Sequence, residues 1–220
     1  MAISFVNVYS ASLTNTVASV VVVAGDLIVV GIAYNNTWAQ GTCGDTVNTY
    51  DPINTSCPAY PDTALNGYYA IASTSTTLTV TVSGVGTSYS GISVYVFSGN
   101  NTTLGSVLDV SALSTVESSA STAQTSASIT TTNAADVLVC FWGQGYVSMS
   151  TPYWTENGTG FTLNVAQQFW ASAYKIVSST GAYDEAVTAQ TATKAGSLIA
   201  AFKAAGGTTY QPYWMMGILD

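Results

Sequence analysis

The chain has 220 residues, of which 48% are hydrophobic and only 6% are charged, and its formal net charge is −8. Lys175, Lys194 and Lys203 are its only basic residues, which argues against binding to nucleic acid or anionic membranes, because both need clustered cations. The sequence contains no His, so it lacks the commonest general base, the usual zinc ligand and the centre of Ser-His-Asp and Cys-His sites.

Alternating apolar and polar residues, with many Val and Thr, recur along the chain and predict β-strands, whereas no helical stripe of apolar residues appears. Gly, Asn, Asp or Ser stands at most junctions between these segments, as expected for turns. About a dozen strands are predicted. They cover Ile3–Tyr9, Thr16–Val23, Leu27–Tyr34, Tyr68–Ala72, Thr77–Ser83, Gly91–Phe97, Ser126–Thr131, Asp136–Trp142, Gly160–Val165, Phe169–Val177, Tyr183–Thr188 and Ser197–Lys203.

The faces of these strands indicate how they pack. Thr77–Ser83 places Leu78, Val80 and Val82 on one face and hydroxyl side chains on the other. Sheets with one apolar face cover that face by stacking in pairs. The sequence therefore predicts an all-β fold, an antiparallel two-sheet β-sandwich of jelly-roll or immunoglobulin-like kind, which spans residues 1–204.

Two long segments without a strand pattern interrupt the predicted sandwich. The first, residues 35–66, is a long loop of the kind that commonly carries recognition on a rigid scaffold. The second, residues 99–124, is rich in Ser and Thr and is predicted to be an extended crossing between sheets or a short helix. No internal repeat is apparent in the sequence.

Two of the three cysteines, Cys43 and Cys57, lie in the first of these loops. A disulfide between them would close part of the loop and contribute about 3 kcal/mol in the loop-entropy model, provided that the surroundings are oxidising. Unpaired thiols are the alternative. Cys140 stands within an apolar strand pattern and is predicted to be a buried small hydrophobic residue.

No arrangement of residues predicts a catalytic site. Asp184 and Glu185, together with Glu156 or Glu117, are the carboxylates best placed for glycosidase-like chemistry. Neighbouring residues of a strand point to opposite faces, so Asp184 and Glu185 cannot both serve one sugar. Phosphate-binding and dinucleotide-binding glycine patterns are also missing from the sequence. The sequence predicts a protein without enzymatic activity, cofactor or resident metal.

A calcium site remains an alternative in the first loop. Asp45, Asp51 and Asp62 offer the oxygen ligands that Ca²⁺ prefers, but their spacing is not that of an EF-hand. Loop aspartates more simply act as turn formers, because their carboxylates bind nearby backbone N–H groups.

A glycan contact is a second alternative. Trp38, Tyr60 and Trp154 could supply flat aromatic surfaces on which a sugar ring stacks. The competing interpretation is that aromatic rings of this chain lie in the core with their polar tips near water. A carbohydrate-binding or adhesin module therefore stays open as an alternative function.

The last segment of the chain, residues 205–220, is predicted to be a flexible hinge followed by an apolar docking tail. Gly206 and Gly207 form the hinge. Side chains of the types found in the tail are enriched at the buried centres of protein contacts. The alternative is that the tail folds back as a last edge strand or against its own core. The predicted docking residues are Tyr210, Pro212, Tyr213, Trp214, Met215, Met216, Ile218 and Leu219.

The first residues, from Met1 to Val6, have no cationic stretch and no uninterrupted apolar run of signal-peptide type. The sequence therefore predicts synthesis in a host cytoplasm without a signal peptide. An extracellular location would then require another route, and assembly into a virus particle is one.

Three segments carry a family resemblance: Val23–Val30, Tyr174–Tyr183 and Leu198–Ala204. Together they resemble the Ser/Thr-rich β-sandwich domains of tailed-phage virion proteins and of some bacterial surface proteins. The likeness covers most of residues 1–204, although the loop 35–66 departs from the simple pattern. In such phage proteins a short apolar tail after the last strand resembles a particle-anchoring segment.

The resemblance implies a non-enzymatic structural virion protein. We expect a phage capsid decoration or fibre-type subunit at the particle surface, with capsid or other virion proteins and further copies of itself as partners. A subunit of an extracellular filament is another alternative, because it would use the same kind of docking.

Overall fold

Antiparallel β-strands make up almost all of the regular structure, which confirms the predicted fold class. The computed structural model describes residues 2–34, 40–54, 64–86, 90–114, 120–144 and 153–206. The first half of the described chain forms β1 (Ser4–Ser12), β2 (Thr16–Val22), β3 (Leu27–Tyr34), β4 (Thr42–Gly44), β5 (Asp51–Pro52), β6 (Ala64–Ile71), β7 (Thr76–Ser83) and β8 (Gly91–Ser98). The second half forms α1 (Leu104–Val107), β9 (Leu108–Leu113), β10 (Ser121–Thr125), β11 (Ile129–Thr130), β12 (Asp136–Gln144), β13 (Trp154–Glu156), β14 (Thr162–Ala166), β15 (Trp170–Val177), β16 (Ala182–Tyr183), β17 (Ala186–Thr193) and β18 (Ala195–Lys203).

The two segments predicted to be irregular contain regular structure. Residues 99–124 include α1, β9 and most of β10, and residues 35–66 include β4, β5 and the beginning of β6. Most of these elements are short or half-exposed, so they lack the run of alternating apolar residues that reveals a strand. Among the described residues, no helix has the length and apolar character needed to cross a membrane.

The strands form the same arrangement twice. In the first half, a five-stranded sheet of order β1-β8-β3-β6-β5 is accompanied by a three-stranded sheet of order β2-β7-β4. In the second half, the orders are β9-β18-β12-β15-β14 and β10-β17-β13, with a small β11-β16 ladder beside them. The first strand of each half pairs with the last, as in a jelly roll, whereas in immunoglobulin domains the first two strands share a sheet. The predicted sandwich is therefore two sandwiches of equal topology.

These sheets stack in four layers with three apolar cores between them. The two five-stranded sheets face each other across the central core, and each three-stranded sheet covers the outer face of its own five-stranded sheet. Consequently β3 and β12 are buried on both faces along their whole length. Their nearly continuous apolar sequences are typical of strands without a wet face.

An approximate twofold axis along the strands relates the two halves. Leu27 pairs with Phe97 on β8 and with Ile71 on β6, and Val137 pairs in the same way with Phe202 and Ile176. Contacts across the central core repeat accordingly. The ring of Tyr69 lies 5.5 Å from that of Phe202, and the ring of Tyr174, its equivalent, lies 5.8 Å from that of Phe97.

Both ends of the described chain lie at one end of the strands, which we call the terminal pole. The N–H of Ala205 donates to the carbonyl of Gly99 at 2.7 Å, and Ala204 forms a bridge with Asn100. A Cβ on Gly99, which has a φ of +74°, would lie 2.2 Å from the carbonyl oxygen of Ala2. The first residues, the connection between the halves and the last residues therefore meet here.

The opposite end of the strands is the distal pole. Leu13 and Ser90 meet there, where the N–H of Leu13 donates to the carbonyl of Ser90 at 2.7 Å. The tight turn between β14 and β15 lies at the same pole, and the N–H of Gln167 donates to the carbonyl of Trp170 at 2.9 Å. β8 connects the poles, since it begins after Ser90 and ends before Gly99.

The described sheet edges are either irregular or short. Each longer edge strand, β1, β2, β9, β10 and β14, has an irregularity in its pairing with its neighbour, whereas the pairings of β3 and β12 in the sheet interiors are regular. The remaining edges, β4, β5 and β13, have two or three residues each. Bulges and short edge strands are common protection against edge-to-edge association.

Candidate functional site

The terminal pole contains Ala205 and Gly206, the last described residues, which the predicted docking residues follow in the sequence. β18 ends at Lys203, and Ala204 and Ala205 are fixed by the backbone contacts described above. The tail therefore starts from a rigid base. The predicted docking residues Tyr210, Pro212, Tyr213, Trp214, Met215, Met216, Ile218 and Leu219 lie outside the described residues.

A polar cluster holds together the strands at this base. Lys203 Nζ lies 3.3 Å from Asp109 Oδ1. The Asp109 carboxylate also accepts hydrogen bonds from the backbone N–H of Thr132, at 2.6 Å, and from the Thr132 hydroxyl. Asp136 accepts a hydrogen bond from Asn133 Nδ2 at 2.8 Å. Because these residues come from β9, β12, β18 and the turn before β12, the cluster ties three strands together next to the tail.

The two carboxyl groups of the cluster differ in acidity. Burial raises the pKa of Asp136 to about 6, and the negative charge of Asp109 contributes to the rise. Burial also acts on Asp109, but hydrogen bonds from Thr132 and Lys203 outweigh it and hold the pKa of Asp109 below its ordinary value. Donors of the protein engage the Asp109 carboxylate and Asp136 Oδ1, whereas Asp136 Oδ2 has no hydrogen-bond partner among the described residues. The arrangement suits structural support of the tail base.

The described cysteines carry free thiols. Cys43 lies on β4 and Cys140 on β12. Burial raises the pKa of both thiols, with an added effect of the Asp45 charge on Cys43, so neither is a reactive thiolate near neutral pH. Cys140 is buried, as predicted. Cys57 lies outside the described residues, so its disulfide with Cys43 stays a prediction, against which the free thiol of Cys43 counts.

A cleft of 440 Å³ opens beside β4. Its wall includes Gln40, Cys43, Tyr50 and Tyr68. The hydroxyl of Tyr68 already donates to the Gly41 carbonyl at 2.5 Å, the Tyr50 hydroxyl to the Asp45 carboxylate at 2.8 Å, and the Gln40 amide to the Asn54 carbonyl at 2.6 Å. These groups are engaged within the protein, so the cleft offers a ligand mainly apolar surface.

Of the aspartates weighed for calcium, the structure describes Asp45 and Asp51. Asp45 shapes the turn after β4, because its carboxylate accepts hydrogen bonds from the backbone N–H groups of Val47 and Asn48 at 2.6 and 2.7 Å. Asp51 lies on β5, and Asp62 lies outside the described residues. The described part of the chain contains no group of three acidic or cysteine side chains that could hold a metal ion. For Asp45, the turn-forming interpretation accounts for the observed contacts.

The structure corrects the glycan prediction for Trp154. Its side chain is only 2% exposed, its ring stacks on Trp142 with centroids 6.5 Å apart, and its Nε1 donates to the Gln167 carbonyl at 2.8 Å. A ring that is buried between the sheets of the second half cannot stack on a sugar. Trp38 and Tyr60, the other two predicted contacts, lie outside the described residues.

A buried carboxyl group lies in the core of the second half. Glu185 is fully buried, whereas the neighbouring Asp184 is exposed, as expected for adjacent residues of an extended segment. Glu185 Oε2 accepts a hydrogen bond from Trp142 Nε1 at 3.0 Å, and Oε1 has no partner among the described residues. Burial raises the pKa of Glu185 to about 7, despite hydrogen bonds with Cys140 and Trp142 that favour its ionisation.

The twofold relation shows how unusual this carboxyl group is. Val82 on β7 pairs with Cys43, and Ala189 on β17 pairs with Trp154 at the corresponding place. Four positions earlier, the first half has the buried Leu78 on β7, and the second half has Glu185 directly before β17. Sequence reasoning treated Glu185 as a catalytic candidate and missed its place in a core, because that place follows from the repeat.

Comparison of the chain with protein-family models, curated proteins and solved structures finds no match. The resemblance to phage virion domains therefore stays a prediction.

Proposed function

We propose that this chain is a non-enzymatic structural subunit of a virus particle, a phage capsid decoration or fibre-type protein, which docks through its C-terminal tail. The observation that carries the proposal is the geometry of the terminal pole. The tail follows directly on β18, whose end is fixed by Ala204 and Ala205 and supported by the cluster around Lys203 and Asp109. An apolar segment on such a base can reach a neighbour without disturbing the folded body.

The irregular or short sheet edges support the same conclusion. Strand addition is a common way for β-proteins to associate, but it requires a free, regular edge. Bulges or short lengths protect the described edges of this chain. Contacts with capsid proteins or with further copies of the chain therefore fall to the tail and the loops.

The low charge of the chain agrees with a covered or crowded position. Only 6% of its residues are charged, far below the roughly 25% that is usual for free proteins. On the outward face of β7 the side chains are Thr77, Thr79, Thr81 and Ser83, so hydroxyl groups replace ions at the surface. We assign the protein to the virion surface on these grounds.

The test is a deletion of residues 207–220. The truncated protein should keep its circular dichroism and thermal transition, because strands β1 to β18 all lie before residue 207. It should lose co-sedimentation with particles, and light scattering should show fewer subunits per assembly than for the full chain. Unchanged particle binding and unchanged assembly size would refute the proposal.

A matched control carries a scrambled tail of the same fourteen residues, with the folded body unchanged. If docking depends on the order of Tyr213, Trp214, Met215 and Met216, the scrambled protein should also fail to bind. Equal binding by the native and the scrambled tail would point to unspecific apolar adhesion and would contradict a built docking site.

A further inference from the structure

The polar cluster at the tail base contains more carboxyl groups than cations. We call Asp109, Thr132, Asn133, Asp136 and Lys203 the tail-base cluster. The Asp109 side chain is 1% exposed and Asp136 is fully buried, whereas the Lys203 side chain is 32% exposed. Two buried carboxyl groups therefore share one partly exposed ammonium group. If both carboxyl groups were ionised, one buried negative charge would have no counter-charge, which is costly in a protein interior.

The contacts of the tail-base cluster indicate which carboxyl group keeps a proton. Thr132 and Lys203 supply donors to the Asp109 carboxylate. Asp136 Oδ1 accepts a hydrogen bond from Asn133 Nδ2, but Asp136 Oδ2 has no donor among the described residues. The two carboxyl groups are close enough to share a proton. Because a protonated carboxyl group is a donor and an ionised one is not, a proton on Asp136 satisfies the contact between them.

The charges that act on Asp136 come from the neighbouring strands β9 and β18. Burial raises the pKa of Asp136 most strongly, the Asp109 charge adds to the rise, and the Lys203 charge partly offsets it. On the other side of β12, the strand β15 carries Lys175, whose ammonium group donates to the Thr159 carbonyl at 2.7 Å. The Asp109 and Lys203 charges therefore decide the protonation of Asp136 together with its burial.

The first half of the chain has no such charged group of three. By strand register, the counterparts of Asp109, Asp136 and Lys203 are Val6, Asp26 and Ser98. Asp26 is the one acidic residue of that set, and its carboxylate accepts a hydrogen bond from the N–H of Val23 at 2.8 Å. The second carboxyl group and the cation thus occur in the half whose last strand precedes the tail in the sequence.

We propose that the tail-base cluster is a proton-controlled clamp on the end of β18. With a proton on Asp136, the cluster holds one negative and one positive charge and joins β9, β12 and β18. When that proton leaves, two buried carboxylates repel each other, and the end of β18 opens so that water reaches them. The inference concerns the described body of the protein, so it stands whether or not the tail docks as proposed.

The pH interval of the clamp follows from the two states of Asp136. In the open cluster, its carboxyl group is solvated and has the ordinary pKa of 3.8, whereas burial raises the pKa to about 6 in the closed cluster. This difference stabilises the closed state fully below pH 3.8, and the stabilisation is lost as the pH rises to about 6. Asp109, whose pKa is lowered, stays ionised in this interval. The opening equilibrium constant should therefore increase about 20-fold between pH 4.5 and pH 7.

The experiment measures hydrogen exchange of the full-length protein by NMR between pH 4.5 and pH 7, with each rate corrected for the pH dependence of intrinsic exchange. The reporters are the N–H groups of Asn101, Ala204 and Ala205, which bond to carbonyl groups at the end of β18 and beside it. Their protection should fall about 20-fold across the interval. The N–H of Leu13, which bonds to Ser90 at the distal pole, serves as the reference and should change far less.

Three variants distinguish the clamp from a general effect of pH. Asp136→Asn keeps a donor for Asp109 but cannot ionise, so the protection of Ala204 should stay at its acidic value up to pH 7. Asp109→Asn removes the repelling carboxylate and should reduce the fall, which keeps the test decisive should Asp136→Asn fail to fold. Asp26→Asn is the matched control at the counterpart position and should leave the fall unchanged.

Four outcomes would overturn the proposal. The protection of Ala204 and Ala205 could stay constant between pH 4.5 and pH 7, or that of Leu13 could fall equally. The fall could persist undiminished in both Asp136→Asn and Asp109→Asn, or Asp26→Asn could abolish it. Each of these results would show that the tail-base cluster does not control the end of β18 through its proton.

Discussion

Replacing Glu185 by Gln should remove a large part of the pH dependence of stability. The Glu185 side chain is fully buried in the core of the second half, and only one of its carboxylate oxygens has a described partner, the indole of Trp142. Burial raises the pKa of Glu185 from 4.5 to about 7. In the folded protein, Glu185 is therefore neutral at mildly acidic pH and becomes a buried anion at alkaline pH.

The size and sign of the effect follow from this difference in pKa. Between pH 4.5 and about 7 the unfolded chain loses the Glu185 proton more readily than the folded chain, so rising pH favours unfolding. Each pH unit in this interval removes about 1.4 kcal/mol. The full interval removes about 3 kcal/mol of the free energy of unfolding, and the contribution is constant above pH 7.

Glutamine keeps the acceptor for Trp142 but cannot ionise. Near pH 5 the Glu185→Gln variant should therefore be more stable than the unchanged protein by less than about 1 kcal/mol, and near pH 8 by about 3 kcal/mol. Urea denaturation followed by tryptophan fluorescence at several pH values between 5 and 8 gives both free energies. The decisive quantity is the difference in free energy of unfolding between the two proteins. Burial also raises the pKa values of Asp26 and Asp136, but these groups contribute equally to both proteins and cancel in the difference.

Asp184→Asn provides the control, since it removes the same charge from the exposed neighbouring position. Its free energy of unfolding should follow that of the unchanged protein at every pH. Parallel pH curves for Glu185→Gln and the unchanged protein would refute the assignment of Glu185 as a neutral buried acid. A stabilisation by Asp184→Asn as large as that by Glu185→Gln would show that net charge, and not burial, is responsible.

The same denaturation assay tests three further substitutions. Gly31→Ala should lower the free energy of unfolding by about 1–3 kcal/mol, because a Cβ there would lie 2.1 Å from the Phe141 ring. The double variant with Phe141→Leu should recover part of this lost stability. Asp45→Ala should lower the free energy of unfolding by about 2 kcal/mol, because the turn hydrogen bonds of Asp45 are lost. These hydrogen bonds outweigh burial and keep the pKa of Asp45 below 3.8, so the difference between the two proteins should shrink in acid. Trp154→Ala should cost about 3–5 kcal/mol, and wild-type stability of this variant would contradict its burial.

Local pattern was enough to predict the fold class and the long strands. Apolar runs or strict alternation of apolar and polar residues predict β3, β7, β8 and β12. The predicted bounds of these strands lie within two residues of those observed. The edge strands β4, β5, β9 and β13 were missed because an edge strand packs on fewer neighbours and therefore needs fewer apolar residues.

The sites were harder to predict than the fold, because burial depends on residues far apart in sequence. Trp154 was singled out as a surface aromatic residue, but β17 and the Gln167 carbonyl enclose it. Trp170 was placed within a predicted strand, yet its packing depends on Gly91, which lies in the other half. No spacing rule connects such positions until the packing of the halves is known.

The two halves share short stretches of similar sequence at equivalent positions. Ala24-Gly-Asp26-Leu27 leads into β3, and Ala134-Ala-Asp136-Val137 leads into β12 at the equivalent place. Tyr69-Ala-Ile71 matches Tyr174-Lys-Ile176. Each match is only three or four residues long, in a chain where Ala, Val, Ser and Thr are common everywhere. The strand registers were needed to recognise them as equivalent.

Close packing across the twofold axis explains why the halves cannot be more alike. Gly31 and Phe141 are equivalent by register, and they face each other, so the glycine makes room for the ring. Two phenylalanines would clash at this place, and two glycines would leave a cavity. On one side of the axis, the hydroxyl oxygens of Ser93 and Ser172 lie 2.8 Å apart. On the other side, the equivalent residues are Leu198 and Gly67, and the leucine side chain packs against a residue that has no side chain. In a duplicated sandwich whose halves pack against each other, the side chains that meet along the axis must therefore differ between the halves. These differences conceal the repeat in the sequence.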